Sequence, residues 1–217
     1  KALVETGNGA GCKTCALITD MSQPLAPVAG NALEVAEVLR CLRGEGTAQR
    51  MVEVTCDLGG ALLALIGAAQ DEAEGRSKIA ETLAAGHAAE RFGRMVSAMG
   101  GPFDVIENGL ARLPEAPVVV EVLAGTAGVV QSIDTEALGE IVVHLGGGRL
   151  REDDKLDLSV GLTDLQGIGA SLDAFTPLAR IHAATEDAAD AAVETLRGAY
   201  QIGDSFTSPS LVLERIG

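Results

Sequence analysis

Aromatic side chains are nearly missing from this sequence of 217 residues, which contains four Phe, one Tyr and no Trp. The core must therefore be built from Ala, Leu, Val and Ile, and few rings are available to stack on the bases of a single-stranded nucleic acid. Basic residues are also scarce, since 16 Lys and Arg face 31 Asp and Glu and leave a net charge of −15. Such a surface repels phosphate backbones. The composition therefore argues against a nucleic-acid partner.

Long apolar runs and a dense set of cysteines are missing as well. The longest uncharged, mostly apolar run, from Leu58 to Ala69, has 12 residues, whereas a membrane span needs about 20. The opening residues, KALVETGNG, lack the apolar stretch of a signal peptide. Four cysteines in a chain of this length do not form a disulfide framework. We therefore expect a cytoplasmic protein with no membrane partner, and the start at Lys1, without Met, suggests a fragment or a processed chain.

The first half of the chain has the apolar spacing of helices. Asn31, with Glu34 three residues later, is typical of a capping box that opens a helix. The segment from Thr14 to Thr19 is a short apolar run that predicts a buried strand, one that we expect to lack sheet neighbours in this chain. Apolar residues recur every three or four positions elsewhere, which predicts further helices over residues 1–6, 47–66, 71–85 and 87–99. Residues 1–113 are therefore predicted to be mostly helical.

The pattern changes near Pro114. Short β-branched runs punctuated by glycine predict strands at residues 118–123, 128–133, 141–145, 156–162 and 178–182. A last helix is predicted after Thr185, with acidic residues in its first turn and Arg197 in its last. Residues 114–217 are therefore predicted to form a β-rich α+β domain.

Three short motifs could carry chemistry, although each also fits a structural role. Cys12 and Cys15 form a CxxC, a pattern found in redox pairs and in half of a zinc site, but no second pair of ligands is present. We interpret them as small buried residues. The Gly-rich segments at 7–11 and 146–148 could cradle a phosphate, but no strand precedes the first, and the second lies between two predicted strands. We interpret both as turns.

The histidines and the acidic loop do not suggest a catalytic set. The three histidines are predicted to lie in different elements without a serine or cysteine at a suitable spacing, and His182 is interpreted as a hydrogen-bonded residue at a strand end. Residues 152–157 hold four carboxylates, but they lack the ligand spacing of a calcium loop and fit a solvated loop better. The most informative segment runs from Asp20 to Glu37, where a strand end, two prolines and a capped helix form the kind of junction at which α/β proteins bind ligands.

Residues 16–39, ALITDMSQPLAPVAGNALEVAEVL, resemble the signature of the thymidine and pyrimidine-nucleoside phosphorylase family. Further matching segments follow in the same order: AERFGRMVSAMGGPFDVIEN, the LP at 113–114, GVVQSIDTEALGEIVVHLGGGR, DLSVGLTDL and PLARIHA. FGRMV and VGLTDL favour the thymidine phosphorylase branch over pyrimidine-nucleoside phosphorylases of broader specificity. The resemblance implies an α/β fold class, with residues 1–113 as part of a mixed-sheet α/β domain and residues 114–217 as a β-rich, barrel-sandwich-like lobe.

The resemblance also implies an activity, reversible phosphorolysis of thymidine to thymine and 2-deoxyribose 1-phosphate, in a homodimer without an organic cofactor. Family members are about twice as long, so this chain resembles their C-terminal half. The family's phosphate loop and its Arg–Ser–Lys group for the pyrimidine belong to the other, N-terminal half, so no catalytic or substrate-binding residue is assigned here. The fragment by itself is therefore expected to be inactive.

One site implied by the resemblance falls within this chain. Its position in the motif implies that the carbonyls of Leu25 and Val28 and the carboxylate of Glu37 bind a monovalent cation, potassium, for which oxygen ligands are suited. The alternative for Glu37 is an exposed helix residue that pairs with Arg40. A second reading of the whole chain is a non-enzymatic carrier or binding module of barrel-sandwich shape, in which Lys155 would carry the modification. A third is a redox or zinc protein built on the CxxC.

Overall fold

The computed structural model describes all 217 residues, Lys1 to Gly217, and contains both helices and antiparallel sheets, as the predicted α/β class requires. The α-helices are α1 Ala2–Gly9, α2 Asn31–Leu42, α3 Gln49–Leu65, α4 Glu72–Ala84, α5 His87–Ala98, α6 Val105–Asn108, α7 Thr135–Val142 and α8 Glu186–Gly198. A 3-10 turn, Leu110–Arg112, follows α6, and a π-helical segment, Val143–Gly147, continues α7. The strands are β1 Ala16–Thr19, β2 Val28–Ala29, β3 Val118–Leu123, β4 Gly128–Ile133, β5 Gly161–Thr163, β6 Ser171–Leu172, β7 Pro177–Ala183, β8 Tyr200–Gly203 and β9 Val212–Ile216.

The chain forms two compact units, each assembled from separate stretches of sequence. The first unit comprises Lys1–Asp20, Cys41–Ile106 and Ser210–Gly217, and the second comprises Met21–Arg40 and Glu107–Pro209. The predicted domains, residues 1–113 and 114–217, are each one continuous stretch of sequence, unlike these units. That division stays a prediction.

Helices dominate the first unit. The backbones of its helices α3 and α4 lie very close together at Gly60 and Gly75. A Cβ at Gly60 would lie 2.7 Å from the carbonyl oxygen of Glu72, and a Cβ at Gly75 would lie 2.5 Å from the carbonyl oxygen of Gly60. Its only sheet has two strands, β1 and β9, paired antiparallel with Ala16 opposite Ile216. The expectation that the strand at 14–19 has no sheet neighbour was therefore wrong.

The second unit contains the remaining two sheets, in the orders β2-β5-β7-β3 and β6-β4-β8. Helices α7 and α8 pack with these strands, and the side chains they bury are aliphatic apart from one tyrosine. Apart from Leu39 on α2, the largest fully buried side chains are Leu138, Leu162, Leu178, Ile181, Leu196, Val122, Val130 and Val160. These residues form the main hydrophobic core of the chain.

Two strand predictions in the second unit were incorrect, that for residues 141–145 fully and that for residues 156–162 in part. Residues 141–145 form the end of α7 and the π-helical segment, where Leu138, Ile141 and Leu145 face the core at helical spacing. In the run 156–162 only the end becomes a strand, Gly161–Thr163. The strands predicted at 118–123, 128–133 and 178–182 and the helix after Thr185 are confirmed.

Candidate functional site

The loop before β2 is held by hydrogen bonds on both sides of Leu25. Upstream, the side-chain oxygen of Gln23 accepts a bond of 2.9 Å from the N–H of Ile168. Downstream, the carbonyl of Pro27 accepts one of 3.1 Å from the N–H of Leu165. Leu25 itself is 40% exposed. The Leu25 carbonyl therefore belongs to a short loop whose two ends are fixed to the second unit.

Two glycines bring the backbone of the β2–α2 junction close to that of β5. Gly30 and Gly161 have φ angles of +135° and +148°, which side chains rarely permit. A Cβ at Gly30 would lie 2.6 Å from the carbonyl oxygen of Val160, and one at Gly161 would clash with the carbonyl of Ala29. Neither position accepts a larger residue without a backbone shift. The role of Gly161 was not predicted from the sequence, because nothing local indicates that it faces Ala29 and Gly30, more than a hundred positions earlier.

The start of α2 differs from the predicted capping box. The Asn31 side chain does not cap the helix, since its amide donates a hydrogen bond of 2.8 Å to the carbonyl of Gly147. Gly30 is the residue before the helix, and the Glu34 carboxylate reaches back to accept a bond of 2.9 Å from its N–H. The N–H of Ala32 donates to a loop carbonyl. The Glu34 carboxylate therefore caps the helix, as predicted, whereas Asn31 connects the helix to the segment after α7 by a hydrogen bond.

Glu37 lies on α2 and is buried, with 4% of its surface exposed. It is one of three buried polar or charged residues in the chain, the others being Asp20 and Ser159. Its Oε2 lies 3.5 Å from Nη1 of Arg40, whose side chain is 46% exposed. The alternative of an exposed Glu37 is therefore wrong in its exposure, although the predicted pairing with Arg40 is present.

The three predicted cation ligands all belong to the second unit. Val28 is in β2, Leu25 is in the loop before it and Glu37 is on α2. Two carbonyls and a buried carboxylate are hard oxygen donors, so these residues fit a monovalent cation in their chemistry. Their role as ligands stays a prediction.

A partly buried ion pair in the first unit was not predicted from the sequence. Nη2 of Arg50, in the first turn of α3, donates to Oδ2 of Asp20 at 2.5 Å and lies 3.2 Å from the Asp20 carbonyl oxygen. The N–H of Asp20 donates to the carbonyl of Leu211. These contacts fix the end of β1. The partners are 30 residues apart, so no local spacing could have indicated the pair.

The CxxC does not have the expected burial. Cys12 is exposed and Cys15 is partly buried, and both are free thiols. The interpretation of both as buried residues was therefore wrong. The turn that contains them is held by Asn8, whose side chain donates to the Thr14 carbonyl and accepts from the Thr14 N–H. No group of three or more His, Cys, Asp or Glu side chains in the structure could hold a metal ion.

Both Gly-rich segments follow the carboxyl ends of helices. Gly7 and Gly9 are the last residues of α1, and Gly11, with φ +81°, follows it. Gly146, with φ +98°, lies in the π-helical segment after α7, so the interpretation as a turn between two strands was wrong. Carbonyl groups, and the negative end of the helix dipole, face such positions. Neither segment lies at the amino end of a helix, where the dipole favours a phosphate.

His182 and the acidic loop have structural partners. Nε2 of His182, near the end of β7, lies 2.9 Å from Oγ1 of Thr163, as expected for a hydrogen-bonded strand residue. Burial lowers the pKa of His182, with a further lowering by Arg180 and an opposing effect of Asp164. In the acidic loop, the Asp154 carboxylate accepts from two backbone N–H groups. Lys155 is exposed in the same loop.

Two regions of the chain match known protein families. Residues 1–89 match the family described as "Glycosyl transferase family, a/b domain", and residues 129–203 match "Pyrimidine nucleoside phosphorylase C-terminal domain". Together with the relatives described next, these two matches show that the chain is similar to thymidine and pyrimidine-nucleoside phosphorylases. The predicted resemblance and fold class are thereby confirmed.

Individual relatives agree with this assignment. A thymidine phosphorylase of Burkholderia lata is 47% identical over 217 residues, which are 100% of this chain and 50% of the relative. A thymidine phosphorylase of Burkholderia cenocepacia is 46% identical over 216 residues, 100% of this chain and 49% of the relative. The chain thus spans about half the length of the curated relatives it matches. None of its helices combines the length and apolar composition that crossing a membrane requires.

Proposed function

We propose that this chain is the C-terminal half of a thymidine phosphorylase, which transfers a 2-deoxyribosyl group reversibly between thymine and phosphate. The observation that carries the proposal is the identity of 46–47% to thymidine phosphorylases across the whole chain. Because the chain covers only half of each relative, the activity belongs to a protein of the relatives' length. A homodimer and a cytoplasmic location are predictions that follow from the same resemblance.

We propose that the groups this reaction requires come from the part of the longer protein that this chain does not cover. Phosphate attacks the anomeric carbon of the nucleoside, while hydrogen-bond donors stabilise the charge that develops on the departing base. Both Gly-rich segments lie at the carboxyl ends of helices, and the net charge of −15 disfavours phosphate binding. We therefore propose that residues 1–217 serve as a structural part of the phosphorylase and do not cleave thymidine alone.

The experiment measures thymine released from thymidine and phosphate. The purified chain is assayed alone, and then mixed with the half of the Burkholderia lata relative that this chain does not cover. We expect no turnover from the chain alone and measurable turnover from the mixture, and uridine as a second substrate distinguishes thymidine phosphorylase from a pyrimidine-nucleoside phosphorylase. Turnover by the chain alone, undiminished through successive purification steps, would contradict the structural role.

We also propose that the carbonyls of Leu25 and Val28 and the carboxylate of Glu37 contribute to a potassium site in the longer protein. Two features support the proposal: the burial of Glu37 and the fixed loop around Leu25. The cation would supply positive charge, which favours phosphate binding close to it. The residues of this chain would hold the cation and keep the β2–α2 junction in place.

A further inference from the structure

The second half of α3 belongs to the longest uncharged stretch of the chain, residues 58–69. A helix that is apolar on every side is normally covered on every side. Within this chain, the backbone of α4 lies against α3 at Gly60, and α4 is the principal neighbour of α3. The side of α3 that carries Gly60 is therefore covered.

Another side of α3 is open to water. Leu58, Leu62 and Ile66 recur every four residues and so lie on one face of the helix and its end. They are 48%, 55% and 62% exposed, respectively. A single exposed leucine needs no explanation, but three large apolar side chains in a row, with no charged residue among them, are typical of a surface that another polypeptide covers. We call these three side chains the α3 apolar face.

We infer that the α3 apolar face packs against the half of the longer phosphorylase that this chain does not cover. The inference rests on the proposed function, in which that half is present. The relatives align with this chain over its whole length, α3 included, and about as many residues again of each relative lie outside the alignment. The longer protein therefore contains enough polypeptide to cover a whole helix face.

The first unit cannot cover the α3 apolar face with its own sheet. Residues 1–89, which contain α3, match a family described as an a/b domain, and the helices of such domains pack on a sheet. The sheet of the first unit has only β1 and β9, with four and five residues. Strands of this length extend at most about 17 Å, whereas the 17 residues of α3 extend about 25 Å. The remaining cover comes from outside this chain.

A second copy of the chain is the other candidate occupant. Each copy has a net charge of −15, so two copies repel each other. The α3 apolar face contains no charged side chain that could offset this repulsion with ion pairs across the contact. These charges favour the uncovered half of the phosphorylase as the occupant.

The test measures how fast a thiol on the α3 apolar face reacts with iodoacetamide. Leu62→Cys is made in the 217-residue chain and in a chain of the relatives' length, in which the uncovered half of the Burkholderia lata phosphorylase is joined ahead of this chain. Mass spectrometry of peptides follows each cysteine separately, so the four natural thiols do not interfere. Val119→Cys is the matched control, since Val119 is 51% exposed and lies in β3 of the second unit.

We expect Leu62→Cys to react at least about tenfold more slowly in the longer chain, because the reaction then requires local opening of the contact. Val119→Cys should react at similar rates in both proteins. The protection should persist at about 1 M salt, where ionic contacts are screened. Equal rates for Leu62→Cys in the two proteins would overturn the inference. Protection that appears in the 217-residue chain and grows with its concentration would also overturn it, because a second copy would then be the occupant.

A second measurement applies if the joined chain does not fold. The uncovered half, with an affinity tag, is co-expressed with the 217-residue chain, and the amount of chain retained with the tag is measured. Leu58→Gln combined with Leu62→Gln should reduce this amount at least about tenfold, because both substitutions place an amide where an apolar contact forms. Val119→Gln should leave it unchanged. Equal retention of the double variant and the parent would contradict the inference, as would failure of the tagged half to retain the parent.

Thymine release by the joined chain tests the proposed function separately. Release without protection of Leu62→Cys would overturn this inference and leave the proposed function standing. Protection without release would support the contact at α3 and count against the proposed function.

Discussion

The two units differ in how completely they bury their own apolar side chains. In the second unit, Leu162 and Ile181 are 0% exposed. In the first unit, Leu58, Leu62 and Ile66 recur along one face of α3 and its end, and they are 48–62% exposed. Since burial contributes about 25 cal/mol for each Å² of apolar surface, the second unit gains more from its side chains. The first unit depends more on the close backbone contact of α3 with α4 and on the ion pair that fixes β1.

Truncation of a large side chain should therefore have very different effects in the two units. Ile181→Ala should lower the free energy of unfolding by about 2–5 kcal/mol, because it leaves a cavity in the closed core. Leu62→Ala, at a half-exposed position, should cost no more than about 0.5 kcal/mol.

Two optical signals follow the units in a urea titration. Tyr200 is the only tyrosine, the chain has no tryptophan, and Tyr200 is buried in the second unit, so its fluorescence reports on that unit. Circular dichroism at 222 nm reports on the helices of both units, so a transition seen by circular dichroism and not by Tyr200 belongs to the first unit, with its α3, α4 and α5. Equal destabilisation by Ile181→Ala and Leu62→Ala would contradict the contrast between the units.

A methyl group added at the α3–α4 contact should also be costly. Gly60→Ala places a Cβ 2.7 Å from the Glu72 carbonyl oxygen and 2.8 Å from the Arg76 backbone nitrogen. Backbone atoms cannot move aside as a flexible side chain does, so we expect a loss of roughly 1–3 kcal/mol in the free energy of unfolding.

Gly139→Ala is the matched control for Gly60→Ala. Gly139 lies within α7, and a Cβ there meets no other atom within 4 Å. Alanine favours the helix by up to about 1 kcal/mol over glycine, so this variant should be neutral or slightly more stable. Urea unfolding followed by circular dichroism checks both variants, and a Gly60→Ala protein as stable as Gly139→Ala would show that the α3–α4 contact is not tight.

The sequence predicted elements whose signals are local. Asp71 caps α4 by accepting from the N–H of Glu74, and Thr185 caps α8 by accepting from the N–H of Ala188. Both caps act within four residues, which is why composition and spacing reveal them. The last strand, β9, is a different case, because its pairing with β1 joins residues about 200 positions apart. No local pattern encodes that register.

The error at residues 141–145 has a physical reason. Val142 and Val143 favour a strand, but Leu138, Ile141 and Leu145 recur at spacings of three and four and are all buried. Packing of that face overrides the weak preference of β-branched residues. The helical spacing was present in the sequence and was outweighed by the β-branched pair.

The candidate site could be predicted only in part. The motif indicated Leu25, Val28 and Glu37 by resemblance, and the spacing of three indicated the pairing of Glu37 with Arg40. The burial of Glu37 could not be predicted, because it depends on how α2 packs in the folded chain. The close approach of Gly161 to the β2–α2 junction is hidden from the sequence for the same reason.

The smallest expected effect concerns pH and the second unit. Burial lowers the pKa of His182 below its ordinary value of 6.5. Between the lowered pKa and 6.5, the unfolded chain therefore binds protons that the folded chain does not, so stability rises with pH over that interval and is lost as pH falls below 6.5.

His182→Gln retains a side chain that can hydrogen-bond to Thr163 but does not titrate. Between pH 6.5 and 5, the parent should lose more stability than this variant, as measured by the urea midpoint of Tyr200 fluorescence. The carboxylates of Glu74 and Asp173, whose pKa values are lowered by hydrogen bonds first from Lys78 and Thr176 respectively, act below 4.5 and 3.8 and so outside this range. The difference should be modest because His182 is only half-buried, and equal slopes for parent and variant would mean that its protonation does not disturb the sheet.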